Sequence, residues 1–246
     1  MEAVKMALSI FDRNQKIRLL PFVVTATFFL IQPYEPGTFL GTTFKVLPVL
    51  SLIGYVIVTR SQFPRKTKSI NIHSLTPEDP YSFCILVGLC MSLVGDILVT
   101  IPYMMFLGGF LYMVIYLCYF IAIEVDGRHK GCRSSVTWLF GLLYINTFLC
   151  LQGTADEFGM KLFFLIYLAP LFLAGWKAAS AMEENPRDMS VFMGCLGASL
   201  FILSDCLVIS HHMEYPIPFA EFFYMLFYYG AQCGWALSTS HFSKGA

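Results

Sequence analysis

Between Gly194 and Ser210 the chain carries one charged side chain, Asp205, in an otherwise apolar run, and runs of this kind recur along the whole sequence. A segment of this composition has one stable home. About 20 apolar residues cross a bilayer as a helix, with every backbone polar group satisfied internally. Such helices are predicted near 17–32, 42–59, 82–101, 103–124, 134–151, 160–181, 190–210 and 218–240. The expected fold is all-α, a single integral membrane domain over 1–246 with eight transmembrane helices. Composition agrees, because 13% charged residues falls well short of the ~25% of soluble domains, and mean hydropathy is +0.67. The formal net charge is zero and no basic block stands out, so nucleic acid is not an expected partner. The bilayer and molecules dissolved in it are.

Lys and Arg are enriched in short cytosolic loops, and here they alternate. One side holds Lys5, Arg13, Lys16 and Arg18, then Arg60, Arg65, Lys66 and Lys68, then Arg128, Lys130 and Arg133, then Lys177, Arg187 and Lys244. The other side holds only Lys161, and Lys45 falls inside a span. Both termini are therefore expected in the cytosol, with Trp138, Trp176 and Trp235 in the inner half, where indoles anchor at headgroups. The first apolar run ends in Gln32-Pro33 without a small-residue cleavage site, so it reads as a span and not as a removed signal. Cysteines 84, 90, 118, 132, 150, 195, 206 and 233 show no C-x-x-C spacing, and neither a disulfide framework nor a zinc site is expected.

Once direction is assigned, depth follows at about 1.5 Å per residue. Asp96 and Asp205 each lie roughly 7–8 Å below the extracytosolic end of their spans. Lys45 enters just below that surface, and Glu221 opens the eighth span at the same level. Four ionisable groups from four helices thus share one layer. A lone charge in hydrocarbon costs roughly 2.5–3.5 kcal/mol even on lenient scales, so such residues mark sites with partners. One account is structural, each acid being satisfied by Lys45 or a hydroxyl. The other is acid/base chemistry, because two carboxyls in a low-dielectric layer do not both ionise cheaply, leaving one acid and one base. Lys45 would tune that balance or simply reach water at the interface.

Two stripes line up with this layer. Glu221, Met225, Tyr228 and Gln232 share one helical face, and Tyr112, Tyr116 and Tyr119 form another. Either stripe can pack, bond to backbone, or line a cavity. The third and seventh spans also resemble each other, Leu93-Val-Gly-Asp96-Ile-Leu-Val99 beside Ile202-Leu-Ser-Asp205-Cys-Leu-Val208, as a tandem repeat of four helices running in the same direction requires. His211-His212-Met-Glu214 is read as a loop or rim, since adjacent histidines do not share a helical face as metal ligands at i, i+4 do. Gly95-Asp96 matches half of the Gly-x-Gly-Asp of intramembrane aspartyl proteases, but Leu93 stands at the first Gly.

The motifs together resemble the lysoplasmalogenase-like (YhhN-type) transmembrane family over most of the chain. The resemblance rests on Lys45-Val-Leu-Pro48, Val87-Gly-Leu-Cys-Met-Ser-Leu-Val-Gly95-Asp96 and Gly197-Ala-Ser-Leu-Phe-Ile-Leu-Ser204-Asp205. Pro216-Ile-Pro218, Tyr228-Tyr229-Gly-Ala231-Gln232 and Ala236-Leu237-Ser238 follow in order. It implies an eight-helix hydrolase, without metal or organic cofactor, that cleaves the vinyl ether of lysoplasmalogens. The products would be a fatty aldehyde and a glycerophospho-ethanolamine or -choline. The resemblance, with no other targeting signal in view, also implies the endoplasmic reticulum. The chain departs from the family at Tyr116, where members commonly carry His, and at His211, where they carry Asn. His211 would replace the missing imidazole if it and Asp205 line one cavity. The site read from the sequence has Asp96 and Asp205 as acid/base pair and Lys45 as charge tuner or phosphate contact. Tyr112, Tyr116, His211, Glu221, Tyr228 and Gln232 would bind substrate. A lipid or solute transporter, or a silent lipid-binding relative, is the alternative.

In sealed microsomes, epitope tags at either terminus are expected to be removed by added protease without detergent. Protection of either tag would contradict the alternating-loop topology.

Overall fold

The computed structural model describes residues 13–32, 37–61, 79–101, 103–127, 134–152, 158–213 and 217–240. Lys5, Arg65, Lys66, Lys68, Arg128, Lys130, Cys132, Arg133, Glu214, Pro216 and Lys244 lie outside the described residues, as do the side chains of Arg60 and His212. Eight helices are present among those described: α1 (Arg13–Ile31), α2 (Phe39–Ser61), α3 (Pro80–Val99), α4 (Met105–Asp126), α5 (Ser134–Gln152), α6 (Phe158–Glu184), α7 (Met189–Met213) and α8 (Ala220–Ser238). They coincide with the eight predicted segments, and their ends differ by a few residues. The largest extension is at α1, which begins at Arg13, and α6 continues through Glu183 and Glu184. A helix does not stop where the hydrocarbon does, and the charged residues there are good helix formers.

Five of the eight are long and apolar enough to cross a membrane by length and composition: Phe39–Thr59, Pro80–Val99, Met105–Asp126, Phe158–Glu184 and Met189–His211. The apolar stretch of α5, Val136–Cys150, is shorter. Helix α1 opens on Arg13, Lys16 and Arg18, and α8 carries Glu221 and Gln232 among its 19 residues, which dilutes both. The outer surface of the bundle is apolar to a degree water does not tolerate. On α5 alone Trp138 (71%), Leu139, Leu142 (61%), Ile145 and Leu149 are exposed. The chain is an integral membrane protein.

Six helices close a ring, α2–α3–α4–α6–α7–α8 and back to α2, with α1 packed on α2 and α5 on α6. The most extensive pairings are α3 with α4 and α7 with α8. Adding four to each label carries α1–α2 to α5–α6, α2–α3 to α6–α7, α3–α4 to α7–α8 and α2–α8 to α6–α4. The turns into α4 and α8 also share a feature, since Tyr103 (φ 71°) and Phe219 (φ 57°) both take the left-handed conformation.

With lipid outside, apolar burial adds little drive to helix association, and close packing of small residues takes over. The α7–α8 contact shows this. A Cβ on Gly234 would fall 2.8 Å from Gly197 Cα and from Met193 O, and one on Gly197 would fall 2.9 Å from Ala231 O. Backbone meets backbone there, with no side chain to move aside. Trp235, expected at the interface, is instead fully buried and stacked on Tyr119 at 4.6 Å between ring centroids. This close approach of α8 to α7 at the preceding residue, Gly234, draws the indole inward.

Gly234→Ala is expected to destabilise the protein by about 1–3 kcal/mol, the range for overpacking an interior, read as a lowered melting temperature in detergent. Gly54→Ala, where a Cβ meets nothing within 4 Å, is expected to be neutral or slightly stabilising.

Candidate active site

Two carboxyl groups organise the interior. Asp96 is fully buried on α3, and Asp205 on α7 keeps 9% of its surface. Burying a carboxyl without partners is far costlier than burying an apolar group, so the partners define the site. For Asp96 they come from three helices. Tyr112 of α4 donates to Oδ1 at 2.8 Å, Tyr228 of α8 donates to Oδ2 at 2.6 Å, and Lys45 Nζ of α2 lies 3.7 Å from Oδ1. For Asp205 they come from two. Tyr116 of α4 and Tyr167 of α6 both donate to Oδ2, Tyr167 at 2.6 Å. Among the described residues no donor reaches Asp205 Oδ1.

Helix α4 serves both acids because its tyrosines recur at helical spacing. Tyr112 and Tyr116 are four apart, on one face, and each phenol reaches a different carboxyl while the rings stack at 6.5 Å. Tyr119, the next on that face, donates to Gln232 Oε1 at 2.8 Å. Gln232 Nε2 in turn donates to Ser92 Oγ at 2.8 Å and to Tyr228 Oη at 3.1 Å, so all the polar atoms of this fully buried amide are used. Ser92 bonds back to Gly88 O at 2.9 Å. Gly88 is required by Tyr119, whose Cε1 would lie 2.4 Å from a Cβ at that position. A second anchor fixes Lys45: in the turn ahead of Pro48, its carbonyl accepts from Tyr229 Oη at 2.8 Å. Neighbouring hydroxyls commonly satisfy the backbone groups that an in-helix proline disturbs.

The structure therefore brings together Asp96, Lys45, Tyr112, Tyr228 and Gln232, and places Tyr116 on Asp205. It sets Glu221 and His211 apart. Glu221 is exposed in the first turn of α8, where a carboxylate meets the positive end of the helix dipole. His211 Nδ1 accepts from Ile217 N–H at 3.1 Å, bracing the connection into α8. Six residues beyond Asp205 on one helix correspond to about 9 Å of rise and about 120° of rotation from it. Tyr167 and Ser92 belong to the network but were not singled out from the sequence. Tyr167 stands among Phe164, Leu168 and Leu171, all buried, and so reads as one more core aromatic. The one signal for it is its place three residues before the in-helix Pro170, as Lys45 stands before Pro48.

Chemically, this is an all-helical membrane protein with two buried carboxyls, one beside an ammonium and one held by two phenols. Among the described residues no group of three or more His, Cys, Asp or Glu is placed to hold a metal ion. The YhhN family model matches residues 40–239, and the chain belongs to the YhhN family. It is similar to the protein named lysoplasmalogenase TMEM86A of Homo sapiens, 26% identical over 233 residues covering 92% of this chain and 90% of the relative. It is also similar to lysoplasmalogenase TMEM86B of Rattus norvegicus, 24% identical over 226 residues covering 90% of this chain and 83% of the relative. No solved structure matches.

Tyr119→Phe removes the donor to Gln232 Oε1 and is expected to cost about 1–3 kcal/mol, the penalty for a stranded buried acceptor. Adding Gln232→Leu should recover part of that loss. A double-mutant cycle of thermal stabilities reads the coupling, and strictly additive effects would deny it.

Proposed function

We propose that the protein is a lysoplasmalogenase-type hydrolase, which adds water across the vinyl ether of a 1-alkenyl lysophospholipid and releases a fatty aldehyde and a glycerophospho-ethanolamine or -choline. The observation that carries this reading is the pair of buried carboxyls in unlike settings. Vinyl ether hydrolysis begins when a strong neutral acid protonates the alkene carbon remote from oxygen, giving an oxocarbenium ion. A base then helps water add, and the hemiacetal collapses. Asp96 and Asp205 supply an acid and a base inside one low-dielectric layer, where fixed dipoles act most strongly on developing charge. The phenols of Tyr112, Tyr116, Tyr167 and Tyr228 orient the two carboxyls, and Lys45 supplies the positive charge. The names of the relatives and membership of the YhhN family support the same reaction.

The membrane setting completes the reading. We infer that all eight helices cross the bilayer, α1 and α8 held there by their packing on α2, α7 and one another, with both termini cytosolic in the endoplasmic reticulum. The lysophospholipid reaches the site from the bilayer, as a single-chain amphiphile does. A structural role for the acids alone would not require an Asp205 oxygen that no donor reaches among the described residues. The whole polar layer would belong to a single domain spanning the chain.

Purified protein supplied with 1-alkenyl and 1-acyl lysophospholipids is expected to release aldehyde from the alkenyl substrate only. Asp96→Asn and Asp205→Asn should each lower that release by about 100-fold or more, within the usual range for a lost acid or base. A carrier or a silent binding protein would consume neither substrate, and full activity in both variants would refute the two-carboxyl mechanism.

A further inference from the structure

The two carboxyls occupy equivalent positions in two halves of the chain, and the equivalence extends well beyond them. Seventeen residues ahead of each stands an aspartate that caps its helix: Asp79 accepts from Ser82 N–H at 3.0 Å, and Asp188 accepts from Ser190 N–H at 2.9 Å. Eight residues ahead of each stands a glycine in close contact, Gly88 and Gly197. On the preceding helices α2 and α6, Lys45 and Tyr167 each stand three residues before an internal proline, and each reaches the acid of the next helix. Across the halves, Tyr228 of α8 reaches Asp96 of α3 as Tyr116 of α4 reaches Asp205 of α7. With the pairings of the ring repeating every four helices, the site reads as two diverged copies of one half-site, Tyr112 being a donor to Asp96 without a counterpart among the described partners of Asp205.

The copies differ where it matters for protons. The half-site of Asp96 has an ammonium at the position where that of Asp205 has a phenol. Both oxygens of Asp96 already accept from phenols, and Lys45 offsets a full negative charge. Both phenols on Asp205 converge on Oδ2, and among the described residues no donor reaches Oδ1, so Oδ1 is the oxygen that has room for a proton. Among the described residues, the charged and titratable groups around Asp96 are Lys45 of α2, Tyr112 and Tyr119 of α4, and Tyr228 and Tyr229 of α8. Those facing Asp205 are Tyr116 of α4, Tyr167 of α6 and Cys206 on its own helix, while Glu221 is exposed and His211 bonds to Ile217.

From this divergence of duplicated half-sites, we infer that Asp205 is the proton donor to the alkene carbon and that Asp96, paired with Lys45, is the resident carboxylate that serves as base. The assignment rests on the vinyl ether reading above. The proton on Asp205 Oδ1 passes to the alkene carbon remote from oxygen as the π pair forms the new C–H bond. The adjacent carbon becomes the oxocarbenium centre, and water bonds to it while its proton passes to Asp96. The bond from the hemiacetal carbon to the ether oxygen then breaks, and that oxygen leaves on the glycerol. It takes the proton from Asp96, while the hemiacetal hydroxyl becomes the aldehyde carbonyl and returns its proton to Asp205. Both acids end as they began, and the sum is alkenyl ether plus water giving aldehyde plus alcohol. Lys45, Tyr116 and Tyr167 are positioning residues in this scheme.

Infrared spectroscopy of the protein in lipid nanodiscs at neutral pH tests the assignment without any need for turnover. The wild type is expected to show a protonated-carboxyl C=O stretch that Asp205→Asn removes and Asp96→Asn retains, and Lys45→Met is expected to add a second such band. Tyr167→Phe, a milder change than Asp205→Asn, should shift the first band without removing it. Loss of the band in Asp96→Asn instead, its absence from the wild type, or an unchanged spectrum in Lys45→Met would overturn the assignment. Aldehyde release is measured on the same preparations. A wild type that releases none defeats the vinyl ether reading, and the infrared result still decides which acid holds the proton.

Discussion

The constraint on which this structure turns is the cost of holding carboxyl groups where water is scarce. Two acids on two apolar helices have to be matched by donors from other helices, and those donors largely dictate which helices meet. Helix α4 carries most of this duty. Its Tyr112, Tyr116 and Tyr119 address Asp96, Asp205 and Gln232 in succession along one face. A phenol suits the task because it brings a large apolar ring for packing and a single hydroxyl for the acid. Tyr119 stacks on Trp235 and Phe201 and Tyr116 meets Phe201 edge-on, so polar satisfaction and close packing are achieved by the same side chains.

The surrounding helices are shaped by this network. Gly88 clears space for Tyr119, and the meeting of Gly197 with Gly234 brings α8 close enough to α7 for its own polar face to turn inward. That face carries Tyr228 and Gln232 to Asp96 and Ser92. In lipid, where apolar side chains gain little by leaving the solvent, such contacts are a principal reason for helices to associate at all. The proposed chemistry uses groups that also hold the bundle together.

The proposed duplication of a half-site, followed by divergence of its donors, offers a simple physical route to an acid/base pair. Two identical buried carboxyls would compete for the same protonation state, whereas an ammonium beside one of them sets the two apart. The difference between Lys45 and Tyr167 is the smallest change that achieves this. It leaves the phenols contributed across the halves, Tyr228 and Tyr116, in their equivalent roles.

Much of this architecture was legible in the linear chain, and the reason is periodicity. Apolar runs of span length set the number and limits of the helices, and the cost of a lone acid drew attention to Asp96 and Asp205. Helical spacing placed Tyr112, Tyr116 and Tyr119 on one face before any neighbour was known. Rotation and partnership were not legible, since they depend on which helices pack together. A buried phenol bonded to an acid looks in the sequence like any core aromatic, and so Tyr167 passed unnoticed. Depth from the membrane surface also groups residues that do not share one site, which put Glu221 with the acids although it is exposed, and the departure from the family suggested His211, which bonds instead to Ile217 N–H. The sequence by itself determined that the chain forms membrane helices bearing two costly acids. Only the tertiary structure decided which donors meet each acid, because that choice is made by close packing between helices distant in the chain.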